Sequence, residues 1–173
     1  MIAAADAVRA ARSLLGTPYD ELDCINLIKK VIRVSPGGHA RYTTAGTNSL
    51  WKSFGMSKKY RDLTWRQEGL AGAEAGMLAF KRKGSDVHHV GLVTECGTVI
   101  HASSASGCAV ETPLTEGEGW MLLAIHRNIR PEGKAVSQND RKETDASAIT
   151  IIDSEGRTFV PMGDFRILVG SVD

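Results

Sequence analysis

The sequence predicts an α+β fold, because helical patterns fill its first part and short strand patterns fill its second. Apolar residues recur at helical spacing in residues 3–15, and a second helical pattern begins at Cys24. From Gly76 onward the pattern changes to short apolar runs, which is typical of neighbouring strands. The chain has 173 residues, 42% of them hydrophobic and 24% charged, which fits one globular domain plus an appendage.

Charge and hydropathy argue against two classes of partner. The formal net charge of +1 is too small to predict binding to nucleic acid. No apolar run approaches the roughly 20 residues that a membrane-spanning helix needs, so no membrane partner is expected. Residues 1–15 form an amphipathic pattern and not a signal peptide, so we expect the chain to be made in the cytoplasm.

The individual elements follow from local signals. The first helix is expected to end at Gly16, and the second has Asp23 as its N-cap and ends before Pro36. Residues 39–75 are predicted to be irregular, and short helices are expected at two places: residues 49–54 and 65–70. Five strands are expected after them: residues 77–81, 87–94, 98–102, 109–111 and 121–127.

The chain is predicted to divide into three regions. Residues 1–130 form the main domain, residues 131–147 form a polar linker without aromatic residues, and residues 148–173 form a small β appendage. In the appendage, two apolar runs flank a turn at residues 153–156, and residues 165–169 add a third strand. We expect these strands to bind protein, either a second copy of the chain or a phage structural partner.

Cys24 is the candidate nucleophile. The chain has three cysteines, an odd number that leaves at least one thiol free and argues against a disulfide scaffold. At the start of a helix, unpaired N–H groups and the positive end of the helix dipole stabilise a thiolate. The alternative interpretation is that Cys24 is a small buried apolar residue, as many free cysteines are.

His89 and His101 are the candidate base and its orienting partner. They lie on two predicted strands that a three-residue loop containing Gly97 can join into an antiparallel hairpin. An odd loop length places both histidines on one face, whereas an even length places them on opposite faces. On one face, His89 would take the thiol proton and His101 would hold the far ring nitrogen of His89. Three other histidines are given no catalytic role: His39, His88 and His126.

Four segments resemble, in order, the NlpC family of cell-wall cysteine peptidases. They are residues 11–19 with Gly-Thr-Pro-Tyr, the pair Asp23-Cys24 before a helix, residues 75–80, and the histidine runs at residues 89–93 and 99–102. The matches span about residues 8–130. The chain differs from the family pattern in carrying Ile25 and Asn26 after the cysteine instead of Ser and Gly. The resemblance implies a papain-like core in which N-terminal helices pack on an antiparallel sheet.

The resemblance also implies a reaction. Cys24 is then the nucleophile, His89 the base and His101 the third member, while Tyr19 and Asp23 contribute to substrate binding. The family cuts γ-D-glutamyl bonds to diaminopimelate or lysine in peptidoglycan stem peptides. A thiolate–imidazolium pair and an acyl-enzyme carry the chemistry, without a metal or other cofactor. The absence of a signal peptide and of wall-binding repeats fits a phage or prophage enzyme that reaches the cell wall after release.

The sequence leaves three alternatives open. The first is an N-acetylmuramoyl-L-alanine amidase of the related Cys–His branch, which cuts the sugar–peptide link. The second is a zinc-stabilised binding module, whose ligands would be Cys24, His89, His101 and either Cys96 or Cys108. The cysteines are poorly spaced for it, because no Cys-x-x-Cys pair is present. The third is a non-catalytic structural protein, for instance of a phage tail.

Overall fold

A computed structural model describes residues 1–132 with their side chains and the backbone of residues 133–134, 151–152, 157–162 and 165–171. The chain forms two compact units, Met1–Ser137 and Gln138–Asp173, which are described separately. The architecture is α+β, as the sequence predicts. Within the described residues, no helix is long and apolar enough to cross a membrane.

The described part of the first unit contains three α-helices: α1 (Ala4–Arg12), α2 (Cys24–Val34) and α3 (Thr47–Lys52). The predicted start of α2 at Cys24 is confirmed, because the Asp23 side chain accepts a hydrogen bond of 2.8 Å from the Asn26 N–H and caps the helix. Helix α2 buries one apolar face, and it packs against α1 and the sheet.

Two short strand pairs hold the C-terminal end of the first unit. Strand β1 (Ile2–Ala3) pairs in parallel with β9 (Ile129–Arg130). Strand β3 (Glu74–Ala75) pairs with β10 (Glu132–Lys134) in the antiparallel sense. The predicted linker at residues 131–147 is therefore wrong at its start, because Glu132–Lys134 is held by backbone pairing. The rest of that segment, residues 135–147, lies outside the described residues.

Six antiparallel strands form the main sheet, in the order β2-β8-β4-β5-β6-β7. Their bounds are β2 Leu63–Glu68, β4 Leu78–Lys83, β5 Asp86–Val93, β6 Thr98–Ser103, β7 Cys108–Pro113 and β8 Leu122–His126. The short helix expected at residues 65–70 is wrong, since this segment belongs largely to β2. Strand β2 lies at the sheet edge with mostly exposed side chains, so it lacks the apolar alternation that marks a strand in sequence.

Buried side chains form two clusters. The larger contains the helices together with Val90, Leu92 and Ile100 of the sheet. The smaller cluster contains Val99 and Trp120, whose side chain is 0% exposed. Because strand neighbours alternate between faces, the two clusters place the candidate histidines with Trp120 and leave Val90 with the helices.

The second unit contains a three-stranded antiparallel sheet in its described residues. Its strands are β11 (Ile151–Ile152), β12 (Arg157–Met162) and β13 (Phe165–Ser171), with β12 in the middle. The three strands expected in this segment are present. The turn expected at residues 153–156 lies outside the described residues.

Candidate active site

Cys24 is the first residue of α2 and is 7% exposed. Its Sγ lies 3.9 Å from the Thr47 hydroxyl oxygen at the start of α3. The Asn26 N–H is already bonded to the Asp23 side chain, and Leu27 N–H to the Asp23 carbonyl. The N–H groups of Cys24 and Ile25 therefore remain at the helix start for the sulfur and for a substrate oxygen.

Burial dominates the acidity of this thiol. It raises the pKa of Cys24, because the anion loses hydration inside the protein. The backbone N–H of Val90, the Thr47 hydroxyl and the backbone of Ile25 act in the opposite direction, since each donates to the thiolate. Helix α2 packs against β5, and Cys24 belongs to the same buried cluster as Val90, the strand residue that follows His89.

The hairpin between β5 and β6 has the predicted geometry. Thr94 N–H bonds the Thr98 carbonyl at 2.9 Å, so a three-residue loop with Gly97 in the left-handed region connects the strands. The loop is odd, and both histidines project from one face, as expected. Opposite His101 stands Gly91, where a Cβ atom would lie only 3.0 Å from the His101 Cβ. A side chain at Gly91 would therefore clash with Val99 and with the Ile100 carbonyl as well as with His101.

The two imidazoles form one hydrogen-bonded chain. His89 Nε2 lies 2.8 Å from His101 Nδ1, and His101 Nε2 lies 3.2 Å from the Thr112 hydroxyl oxygen. When Nε2 carries the proton in both rings, His89 donates to His101 and His101 donates to Thr112. His89 Nδ1 then holds a free lone pair, which is the state that a general base requires.

The free protein favours neutral groups over the expected thiolate–imidazolium pair. Burial, with the charges of His101, Lys81 and His88, lowers the pKa of His89 to about 3. Burial and the Lys81 charge lower the pKa of His101 to about 4. Together with the raised pKa of Cys24, these shifts give a thiol and an imidazole near neutral pH. Within residues 1–132 the structure contains no hydrogen bond between Cys24 and His89, and such contacts often tighten only when substrate binds.

Trp120 packs against both histidines. Its ring centroid lies 5.7 Å from that of His89 and 5.1 Å from that of His101. The ammonium of Lys81 lies 4.6 Å from the same centroid, within cation–π range. An indole beneath two imidazoles excludes water from them, which is one reason for their low pKa values.

Comparison with known proteins identifies the fold. No protein-family model and no curated protein matches the chain. Among solved structures, the peptidoglycan hydrolase RipB from Mycobacterium tuberculosis is similar at 18% identity with a TM-score of 0.52, over 72% of this chain and 65% of that one. The NlpC/p60 domain of the peptidoglycan hydrolase SagA is similar at 20% identity with a TM-score of 0.47, over 70% of this chain and 97% of that one. The chain shares the fold of RipB, the papain-like α+β fold that the sequence predicts.

The two residues predicted to bind substrate lie on the segment that leads into Cys24. Asp23 caps α2 through its side chain. Tyr19 is half-buried, and burial, followed by the charges of Cys24 and Asp23, raises its pKa. The Tyr19 N–H bonds the Gly107 carbonyl at 2.9 Å, so the segment before α2 is held along the edge of β7. Their substrate-binding role stays a prediction.

Sequence reasoning missed two hydroxyl groups of the site. Thr47 contacts the Cys24 sulfur, and Thr112 completes the histidine chain. Alternation along β7 predicts that Thr112 and Val110 share a face. The register between β6 and β7, which pairs Val110 with His101, is also needed to place Thr112 beside the imidazole. No sequence signal distinguished Thr47 from other residues in its irregular segment.

The other three histidines lie outside this arrangement. His88 is exposed and is the extra residue of a β-bulge, since Lys81 pairs with His89 and Arg82 with Val87. His39 is exposed as well. His126 is fully buried in a separate network with Tyr42.

Proposed function

We propose that this chain is a cysteine peptidase that hydrolyses peptidoglycan. It cuts the γ-D-glutamyl bond to diaminopimelate or lysine in stem peptides. The observation that carries the proposal is a thiol at a helix N-terminus beside a strand whose His89 is oriented by His101 and Thr112. The NlpC/p60 fold supports it, because RipB, which shares the fold, is a peptidoglycan hydrolase.

The proposed reaction begins with a neutral pair. As the substrate carbonyl arrives, the Cys24 proton passes to Nδ1 of His89, and the sulfur forms a bond to the carbonyl carbon. His101 stabilises the imidazolium, because its Nδ1 accepts the hydrogen bond from His89 Nε2. The proton then goes to the departing amine, which leaves a thioester on Cys24. Water, deprotonated by His89, hydrolyses this thioester and regenerates the thiol.

The carbonyl oxygen becomes negatively charged during the attack. The Cys24 N–H at the start of α2 is the proposed donor to it, assisted by the positive end of the helix dipole. A fixed donor of this kind accelerates acyl transfer because it needs no reorientation as charge develops.

Two other functions receive less support. An N-acetylmuramoyl-L-alanine amidase would use the same cysteine and histidines, and only the resemblance to the endopeptidase pattern argues against it. In the side chains of residues 1–132, no group of three or more His, Cys, Asp or Glu is arranged to hold a metal ion, so the zinc module has no supporting cluster. A purely structural role leaves the ordered histidine chain without an explanation.

The biological setting is part of the same proposal. The enzyme would be made in the cytoplasm and reach the cell wall through phage- or lysis-dependent release. The three-stranded sheet of the second unit would serve self-association or a phage structural partner, since residues 131–173 carry 8 acidic and 5 basic residues and add no attraction to an anionic wall.

Digestion of purified peptidoglycan followed by mass spectrometry of the fragments tests the reaction. We expect new amino termini on diaminopimelate or lysine, and matching fragments that end in γ-D-glutamate. Free muramoyl groups with intact stem peptides would instead establish the amidase. Unchanged peptidoglycan, with a Cys24→Ser variant as the matched blank, would argue for the structural alternative.

A further inference from the structure

Lys81 stands directly opposite His89 in the register of β4 and β5. Residues opposite each other in an antiparallel pair project from the same face, with Cβ atoms about 4.5–5.5 Å apart. The Lys81 side chain therefore leaves the sheet beside the candidate base. Nothing in the proposed reaction uses this side chain.

The Lys81 ammonium forms one cluster with the aromatic groups of the site. Its Nζ lies 4.6 Å from the centroid of Trp120, and the same ring contacts His89 and His101. The Lys81 side chain is only partly exposed. A strongly hydrated cation has thus been brought next to two neutral imidazoles, which is an unfavourable position unless an anion joins it.

No carboxylate of the described side chains takes that place. Six salt bridges occur in residues 1–132, and none includes Lys81. Glu118 is near enough to raise the pKa of Lys81, but burial outweighs it and the net shift is downward. The position next to the base is therefore occupied by a cation that lacks an ion-pair partner in this part of the chain.

We propose that Lys81 binds a carboxylate of the stem peptide that flanks the scissile bond. This inference rests on the proposed function and specifies its substrate. A γ-linked glutamyl residue uses its side-chain carboxyl for the bond and keeps its α-carboxylate free, so an anion necessarily lies close to the carbonyl that is attacked. The diamino acid on the leaving side can supply a second carboxylate of the same chemistry.

Binding of that carboxylate would also act on the base. The positive charge of Lys81 lowers the pKa of both His89 and His101. A bound carboxylate cancels this charge, so His89 becomes more basic when the correct substrate is present. The same ion pair thus selects an anionic substrate and favours proton transfer from the thiol.

The test compares three soluble stem peptides. The first has free carboxylates on both the glutamyl residue and the diamino acid, the second has the glutamyl α-carboxamide, and the third has the carboxamide on the diamino acid. Steady-state kcat/KM is measured for the wild type, Lys81→Met, Lys81→Arg and Lys83→Met. Lys83 is an exposed lysine on the same strand, so its variant controls for the loss of one charge.

We expect the wild type to prefer the free peptide over one carboxamide by about 10-fold or more, the discrimination that a charged hydrogen bond gives. Lys81→Met should lose this preference, mainly through KM, whereas Lys81→Arg and Lys83→Met should retain it. The carboxamide that matters identifies which carboxylate Lys81 binds. The acid limb of kcat/KM should also move to higher pH in Lys81→Met, because a nearby positive charge has been removed.

Three results would overturn the proposal. Equal cleavage of all three peptides by the wild type would refute carboxylate selection while leaving the peptidase function intact. A Lys81→Met variant that keeps the preference would refute the role of this residue. If the wild type cleaves none of the peptides, the proposed function fails and the inference fails with it. Melting curves of each variant exclude misfolding as the cause, and Lys81→Arg provides the charge-conserving check.

Discussion

Two buried histidine networks in the first unit differ in whether every ring nitrogen has a partner. His126 is fully buried, and its Nε2 lies 2.9 Å from the Tyr42 hydroxyl. Its Nδ1 accepts the Asn128 N–H at 3.1 Å, which assigns the proton to Nε2. Tyr42 then donates to Asp62, and Asp62 pairs with Arg127. All members of this network are occupied by one another, so it holds the segment before β2 on the sheet.

The network of His89 ends differently. Its Nε2 is bonded to His101, but its Nδ1 has no hydrogen-bond partner among residues 1–132. Burial lowers the pKa of both His89 and His126, so a low histidine pKa alone does not distinguish the two networks. The difference is that Nδ1 of His89 has no partner among residues 1–132, and that His89 precedes Val90, which lies in the same buried cluster as Cys24. The closed network of His126, Tyr42, Asp62 and Arg127 stabilises the fold. The open network of His89, His101 and Thr112 can move a proton.

The largest expected effect concerns the nucleophile that the open network serves. Cys24→Ser should lower kcat/KM on stem peptides by on the order of 10⁴ or more, because a hydroxyl is a far weaker nucleophile in this arrangement. Cys96→Ser is the matched control, since Cys96 is a free thiol in the loop between β5 and β6, and the activity of this variant should stay near that of the wild type. Residual activity of Cys24→Ser above a tenth of wild type would remove Cys24 from the mechanism.

The next largest effect is expected when one histidine is removed from each network. His89→Ala should reduce kcat by roughly 10²–10⁴-fold, the usual contribution of a general base. His126→Ala should instead lower the free energy of unfolding by about 2–3 kcal/mol, since Tyr42 and Asn128 each lose a buried partner. Urea unfolding and kinetics on both variants check this. Equal loss of activity in the two, with His126→Ala fully folded, would contradict the distinction between them.

The local parts of this comparison could be predicted from sequence. Asp23 before an apolar run predicted the start of α2, and Gly97 in a short loop favoured the odd loop length that puts both imidazoles on one face. Both signals lie within a few residues of what they determine. The NlpC pattern added the order of the roles.

The remaining parts depend on distant pairings. Tyr42 and His126 are 84 residues apart, and nothing near either residue indicates the other. The partner of His101 depends on the β6–β7 register, and β2 is a strand because it pairs with β8. The charge state of Cys24 and His89 also required the structure, since burial reverses the expectation drawn from the helix dipole.

Low pH should reduce the free energy of unfolding through His126 of the closed network. Burial lowers the pKa of His126 to about 3 from an ordinary value of 6.5. Between these values the unfolded chain binds the proton and the folded chain does not, so stability is complete above pH 6.5 and falls as pH drops toward 3. Urea midpoints from pH 8 to 5 should show this, and His126→Gln should flatten the curve more than His88→Gln at an exposed site. Asp62, whose pKa burial raises, acts in the opposite sense at lower pH. An unchanged slope in His126→Gln would contradict the assignment.

The smallest effect is expected at the end of the open network. Thr112 accepts from His101 Nε2 at 3.2 Å, and it touches neither the thiol nor the free nitrogen of His89. Thr112→Val keeps the shape and removes the hydroxyl, so His101 loses a partner that fixes its tautomer, and kcat should fall about 3- to 10-fold, the range expected from one neutral hydrogen bond. Thr112→Ser should restore most of this loss, because the hydroxyl returns. If Thr112→Val leaves kcat unchanged, the functional hydrogen-bonded chain ends at His101. If kcat falls as far as it does in His89→Ala, the tautomer of His101 decides whether His89 can act as a base at all.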